Sequence, residues 1–399
     1  MPQRMFRYKL YPGKTQTKVF EEQLELCRLA HNRLLDYCKQ QYTEKGKTPS
    51  QFDLNNLVIS LKRLRPEFSR IHSQVLQNIS KRIKDGYTNF YARRRAGLKA
   101  GLPRFKKYGR YKSFTYPQSG FRVEKSRLHL SKIGDIKIRL HREIQGQIKT
   151  LTVKRMPSGK WYACFSCIVE AQPGEKPFED VGIDVGLNSY AVLSDGTRFE
   201  NPRLYRKSEK RLARLQRGLS RKERGSRNWV KAKTKVAWLH EQILNRRNDF
   251  LHKASRKIAD AYETVYVEDL KIGNMVKNRH LAKSISDAGW GRFMGMIAYK
   301  AESAGGRVIQ VNPRNTTQNC SQCRELVKKS LSDRIHECPH CGLKMDRDHN
   351  AALNILARGR EIGKELAESR PEGEDISTSP REVVQVSSMK QEASLLVGR

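Results

Sequence analysis

The sequence predicts an α+β chain of several domains, and three observations carry that prediction. First, an alternating segment at residues 4–11 is followed by helical periodicity from about Lys14 to Arg95 and then by short strand patterns at 121–140, 147–155 and 160–170. An opening strand, an inserted helical block and a return to strands describe a small β-barrel interrupted by a helical lobe. Second, beyond the Pro173–Pro177 linker, strands alternate with helices, which describes an α/β layer. Third, Cys320-x-x-Cys323, fourteen intervening residues and Cys338-x-x-Cys341 have the spacing of a four-thiolate zinc knuckle. A chain of 399 residues accommodates two or three such domains.

The elements follow in order. Residues 4–11 alternate apolar and polar side chains, as a half-buried strand does. The helical block breaks near Lys45–Gln51. Cys27 and Cys38 fall on the same apolar stripe as Phe20, Leu24, Ala30, Leu34 and Leu35, so they read as core thiols. Cys164 and Cys167 lie in a strand pattern, where residues three apart face opposite sides; they too read as packing positions. Strands are expected at Val181–Gly186, Tyr190–Leu193, Val265–Leu270 and Arg307–Val311, with a long helical region over 203–260. From about Ala367, Ser, Glu and Pro accumulate and periodicity fades, the texture of a disordered tail over 367–399.

Charge identifies the partner class. Lysine and arginine number 79 against 41 acids, for a net charge of +38, and the isoelectric point is near 10.1. That is the electrostatic footprint of nucleic-acid binding, shared by binders and enzymes alike. Residues 203–260 alone hold 19 Lys/Arg and five acids, which suits a surface tracking a phosphate backbone. No run of 18 apolar residues and no signal-peptide core occurs, so an intracellular protein with no membrane partner is expected. Eight cysteines in a reducing compartment suit zinc better than disulfides.

Three acids are candidates for a second, harder metal. On the Val181–Gly186 strand, Asp184 shares a face with Gly182 and Gly186, leaving a gap through which a metal and a nucleic-acid backbone could approach. Glu268 ends an apolar strand, and neighbouring Asp269 would face the other way. Asp348 opens a helix, with Asp346 as its competitor and a helix cap as the alternative use of either. A strand acid, a strand-end acid and a helix-start acid can converge on two Mg²⁺ ions for an in-line displacement at phosphorus. No phosphate-binding Gly-Lys-Ser/Thr loop and no nucleophile elbow offers other chemistry. His336 and His349 lie near enough to act as bases, but metal-assisted hydrolysis needs no histidine.

Two stretches are candidates for nucleic-acid contact. Arg104, Lys106, Lys107, Tyr108, Arg110, Tyr111, Thr115 and Tyr116 interleave basic, polar and aromatic residues, suiting phosphate contacts with base stacking; aromatics at strand spacing equally suit a barrel core. Gln74, Gln77 and Asn78 on the helical lobe carry side chains able to read base edges.

Gly182-Ile183-Asp184-Val185-Gly186, Val267-Glu268-Asp269-Leu270, Ser286-Asp287-Ala288-Gly289-Trp290, the four cysteines and the run from Asp346 to Ile355 together resemble TnpB, a family of transposon-associated RNA-guided endonucleases related to type V CRISPR effectors. The resemblance spans roughly residues 1–365. It implies a wedge β-barrel (1–13 and 103–172), an inserted helical recognition lobe (14–102), an RNase H-like RuvC nuclease (178–319 and 342–366) and an inserted zinc knuckle (320–341). It implies a catalytic triad of Asp184, Glu268 and Asp348 holding two Mg²⁺, selecting Asp348 over Asp346, and one structural Zn²⁺ on Cys320, Cys323, Cys338 and Cys341. The partners implied are a guide (omega) RNA and double-stranded target DNA bearing a short adjacent motif. The expected protein is a prokaryotic, cytoplasmic, nucleoid-associated monomer. For Ser286–Trp290 the residues themselves support only packing. The competing readings are a DNA transposase using the same triad for strand transfer, a non-catalytic RNA-guided DNA-binding regulator and a zinc-stabilised RNA-binding protein.

Overall fold

A computed structural model describes residues 3–170, 174–330 and 332–368. Pro173 of the expected linker and the expected tail beyond Glu368 lie outside the described residues. The chain divides into two compact units, Gln3–Val169 and the segment from Glu170 onward.

The first unit opens with β1 (Gln3–Tyr11), then α1 (Lys14–Lys45), α2 (Gln51–Leu64), a 3-10 turn at Pro66–Arg70 and α3 (Ser73–Arg95). Six strands follow: β2 (Ser113–Tyr116), β3 (Phe121–Glu124), β4 (Arg127–Leu130), β5 (Gly134–Arg139), β6 (Gln147–Arg155) and β7 (Trp161–Ile168). The strands form one antiparallel sheet ordered β2-β6-β7-β1-β5-β4-β3, a nearly closed barrel. β1 lies at its centre, between β7 and β5, so the helices are an insertion between the first strand and the rest.

The expected break near Lys45–Gln51 has two local causes. Gly46 closes α1 at φ 66°, and Ser50 opens α2 in a capping box with Asp53. Phe20 of α1 packs on Trp161 and Phe114, with ring centroids 4.7 and 5.9 Å apart, joining helices and barrel in one core. Cys27, Cys38, Cys164 and Cys167 are all buried, as their patterns require; burial pushes the Cys27 thiol up to about 12.

The second unit begins with β8 (Phe178–Val185), β9 (Ser189–Leu193) and β10 (Arg198–Glu200). The basic region resolves into two helices, α4 (Leu204–Ser220) and α5 (Arg227–Ala261), packed through Leu212, Leu239 and Ile243. Then come β11 (Tyr262–Glu268), α6 (Ile272–Met275), α7 (Ala282–Ala288), α8 (Trp290–Ser303), β12 (Arg307–Val311), β13 (Ile335–Glu337), β14 (Lys344–Asp346) and α9 (Arg347–Glu368). The sheet runs β10-β9-β8-β11-β12, with β8, β11 and β12 parallel and the β8–β9–β10 meander antiparallel.

The two faces of this sheet are covered differently. Val181, Ile183, Val265 and Val267 point into a core with Leu251 and Ile258 of α5 and Phe293 and Ile297 of α8. The other face receives α9, whose Ile355 packs with Tyr266 and Val311. α9 lies very close to β8. A Cβ at Gly182 would overlap the Ala352 carbonyl oxygen and lie 2.6 Å from the Leu356 amide nitrogen. This corrects the reading of Gly182 as part of an open gap: the space it leaves is filled by a helix.

Ser286–Trp290 does pack, and with a definite task. Asp287 is buried against Arg247 of α5 at 2.8 Å and accepts from the Tyr205 amide, so it ties α7, α5 and the first turn of α4 together. Gly289, at φ 67°, makes the corner between α7 and α8.

Candidate nuclease and zinc sites

The acidic site follows from register. In the parallel pair β8–β11, Val267 stands beside Ile183, so one step on Glu268 stands beside Asp184 at the C-terminal ends of both strands. Strand alternation turns both carboxylates toward the α9 face, with Gly182 and Tyr266. Asp348, in the first turn of α9, arrives from above; a Cβ at Gly186 would lie 3.7 Å from its Oδ2. Asp184, Glu268 and Asp348 are therefore brought to one place by two adjacent strands and a helix.

The structure separates Asp348 from Asp346. Asp346 Oδ1 accepts the His349 amide at 3.0 Å, which makes Asp346 the helix cap, and its Oδ2 pairs with Arg198 at 3.3 Å. With the cap filled, Asp348 keeps its carboxylate for the cluster, held at Oδ1 by Arg347 at 3.1 and 3.2 Å. Asp269 turns away and pairs with Lys271 at 2.6 Å. His349 Nε2 faces the Ser194 carbonyl, and His336 is fully buried beside Lys329, so neither is placed as a base.

Electrostatics show what the cluster lacks. Burial, followed by the nearby charges of Glu268 and Asp348, pushes the Asp184 carboxyl well above its usual range; only Arg347 pulls the other way. Burial also raises Glu268, against a hydrogen bond from Thr316 and the charge of Arg358. Arg347 on Asp348 and Arg358 near Glu268 offset only part of this, and carboxyls that stay raised despite those cations fit a hard divalent cation. Thr316 Oγ1 lies 2.6 Å from Glu268 Oε1 and is a site residue for which the sequence offered no signal.

The four thiols form a second centre. Cys320, Cys323, Cys338 and Cys341 place their sulfurs within 4.8 Å of one another. The Cys320–Cys341 and Cys323–Cys338 separations are both 3.6 Å, near the roughly 3.8 Å edge of a tetrahedron with 2.3 Å Zn–S bonds. Each pair sits on a tight turn followed by a left-handed residue, Arg324 at φ 66° and Gly342 at φ 75°. At Cys338 burial opposes ionisation, but hydrogen bonds from the Cys341 and His340 amides and from the Cys323 and Cys341 thiols together outweigh it and bring the thiol down to about 6. These four residues can hold a zinc ion, and with four sulfurs the tetrahedron is complete.

The candidate nucleic-acid residues divide by burial. Arg104, Lys106, Lys107, Tyr108 and Arg110 are exposed, Tyr108 at 82%. Their strap is pinned by its backbone: Asn32 brackets the Lys106 amide and carbonyl at 2.8 and 3.0 Å, and Arg28 donates to the same carbonyl. Tyr111, Thr115 and Tyr116 are corrections. All three are buried: Tyr111 ahead of β2 against His31 of α1 and Arg82 of α3, Tyr116 in the barrel with its hydroxyl on the Ser131 carbonyl, and Thr115 between Thr152 and Arg82. Gln77 is exposed and Asn78 half-buried, whereas Gln74 accepts the Ser119 amide at 3.0 Å.

Comparison with known proteins agrees with this architecture. Residues 164–279 match the OrfB_IS605 family profile (probable transposase), residues 290–355 the Cas12f1-like TNB domain and residues 1–47 a helix-turn-helix domain of OrfB_IS605 proteins. The chain is 33% identical to the Escherichia coli K12 protein named “Putative RNA-guided DNA endonuclease InsQ”, over 95% of this chain and 98% of that one. It is 32% identical to a Streptomyces pristinaespiralis protein carrying the same description without the InsQ name, over 89% of each. A solved Cas12f1–sgRNA–target DNA complex shares the fold, with a TM-score of 0.55 at 17% identity over 86% of this chain and 83% of that one. Among the described residues no helix is long and apolar enough to cross a membrane.

Proposed function

The chain belongs to the TnpB family, and from that premise we propose that it is a transposon-encoded RNA-guided DNA endonuclease that cuts guide-matched DNA at Asp184, Glu268 and Asp348. One observation carries the proposal: three acids 84 and 80 residues apart in the chain meet on one face of the sheet, while the neighbouring acids Asp346 and Asp269 are engaged elsewhere. Asp184, Glu268 and Asp348 would hold the cations, two Mg²⁺ in our reading. Bound there, they would supply Lewis acidity to an in-line displacement at phosphorus.

The protein's own groups orient the site. Thr316 holds one oxygen of Glu268, Arg347 holds one oxygen of Asp348, and the Asp346 cap sets the first turn of α9. The four-thiolate centre would hold one structural Zn²⁺. In domain terms, the barrel is the wedge, the helical insertion at 14–102 the recognition lobe, 178–319 with 342–366 the RuvC nuclease and 320–341 the zinc knuckle. Guide pairing reads sequence while the protein grips backbone and duplex shape. Exposed Arg104, Lys106, Lys107, Tyr108, Arg110 and Gln77, with the α4–α5 hairpin, are the surfaces assigned to nucleic acid.

The test is co-expression with the flanking genomic DNA, sequencing of the copurified RNA and a plasmid assay with Mg²⁺. A single abundant RNA ending in variable sequence, guide-dependent cutting by the wild type, and binding without cutting by Asp184→Ala are expected. Cutting by Asp184→Ala would overturn the site assignment. Guide-independent joining of transposon ends would make the protein a transposase.

A further inference from the structure

Two groups on α9 reach into a loop that no catalytic role requires. Asn350 and Asn354 are both buried, one turn apart, on the helix that carries Asp348. Asn354 Nδ2 donates to the Thr316 carbonyl at 2.8 Å and to the Asn319 carbonyl at 2.7 Å. Asn350 Nδ2 donates to the same Asn319 carbonyl at 2.8 Å, and its Oδ1 accepts the Ser321 amide at 2.9 Å. Ser321 lies between Cys320 and Cys323. At the other end of this loop, the Thr316 hydroxyl lies 2.6 Å from Glu268 Oε1, with the Pro313 carbonyl a more distant partner at 3.2 Å. Thr316 itself is buried.

The loop is partly exposed, but the groups that tie it down, Thr316, Asn350 and Asn354, are buried, so releasing one of these bonds leaves a buried polar group unsatisfied and few alternative arrangements remain. We propose that Thr316 is the positioning residue for the Glu268 carboxylate, and that Asn354 and Asn350 lock it to α9 and to the Cys320–Cys323 turn, so that the thiol centre and the acidic site form one mechanical unit. The inference rests on Glu268 being a metal-holding acid. The Thr316 hydroxyl donates to Glu268 Oε1, which fixes that oxygen and would leave the second one to hold the cation. Partners that orient a ligating carboxylate typically contribute 10–100-fold to metal affinity or activity.

The experiment compares Thr316→Val, which removes the hydroxyl at nearly constant volume, with Thr316→Ser, which keeps it. Mn²⁺ binding to the zinc-loaded protein is measured directly by calorimetry, alongside cleavage across a Mg²⁺ titration and target-DNA binding. Thr316→Val is expected to weaken Mn²⁺ binding and raise the half-saturating Mg²⁺ by roughly 10–100-fold, with DNA binding unchanged; Thr316→Ser should stay near wild type. Asn354→Ala should reproduce the loss, and the double variant should lose no more than the worse single one. Equal Mn²⁺ affinity in wild type and Thr316→Val, or equal damage in the valine and serine variants, would overturn the proposal. A wild type that binds Mn²⁺ through this loop but cuts no DNA would instead count against the nuclease reading.

Discussion

Gly182→Ala is the sharpest probe of how the acidic site is built. The new Cβ would overlap the Ala352 carbonyl and lie 2.6 Å from the Leu356 nitrogen, and both are helix backbone that no rotamer change can move. Ordinary contact begins near 3.4 Å, and the Ala352 carbonyl is the nearer of the two, so α9 must retreat by roughly 1 Å or more at this point. Overpacking of this kind costs about 1–3 kcal/mol, or roughly 2–12 °C of melting temperature for a unit of this size. The effect on activity should be larger, because α9 carries Asp348, and a displacement near 1 Å costs about 100-fold in rate. The assay pairs thermal unfolding with single-turnover cleavage by the guide-loaded protein. Gly273→Ala is the control: Gly273 is exposed on α6 with nothing within 4 Å of its Cβ, and alanine there should be neutral or mildly stabilising. Near-wild-type cleavage by a stably folded Gly182→Ala protein would refute the argument that α9 contact with β8 sets the site.

Three further predictions test other parts of the molecule. The Asp184 carboxyl is raised in the fold, so its stabilising effect on metal-free protein is complete below its usual value near 3.8 and is lost as pH rises through the native value. Asp184→Asn should therefore match the wild type in Mg²⁺-free melting near pH 4 and exceed it at pH 8, while cutting no DNA; an asparagine variant less stable at both pH values would sink this. Cys338→Ser should lower melting temperature and reduce cleavage at least about tenfold, because β14 leads directly into the α9 cap; a fully active variant would show the thiol centre to be dispensable. Tyr108→Ala should weaken nucleic-acid binding by about 1–3 kcal/mol without a change in melting, whereas Tyr116→Ala should cost about 3–5 kcal/mol of stability; the reverse pattern would overturn the division by burial.

The sequence by itself determined whatever depends on neighbours in the chain. The knuckles are turns of four residues, so the grouping of Cys320, Cys323, Cys338 and Cys341 was legible from spacing alone, and the structure brings those sulfurs within 4.8 Å of one another. Helices and strands with strong periodicity, including β1, α1, β7 and β11, were readable for the same reason. Tertiary structure decided the remainder. Only the register of β8 on β11 sets Asp184 beside Glu268, and only the docking of α9 shows that Gly182 makes room for a helix and not for a substrate. Tyr108 and Tyr116 lie eight residues apart in one basic, aromatic stretch; a strand pairing with β6 buries the second and leaves the first exposed. Asp346 and Asp348 look alike in sequence until the His349 amide takes one of them as its cap. Thr316 reaches Glu268 across 48 residues of chain, a hydrogen bond that no local pattern encodes because its geometry exists only once sheet, loop and helix have closed around it.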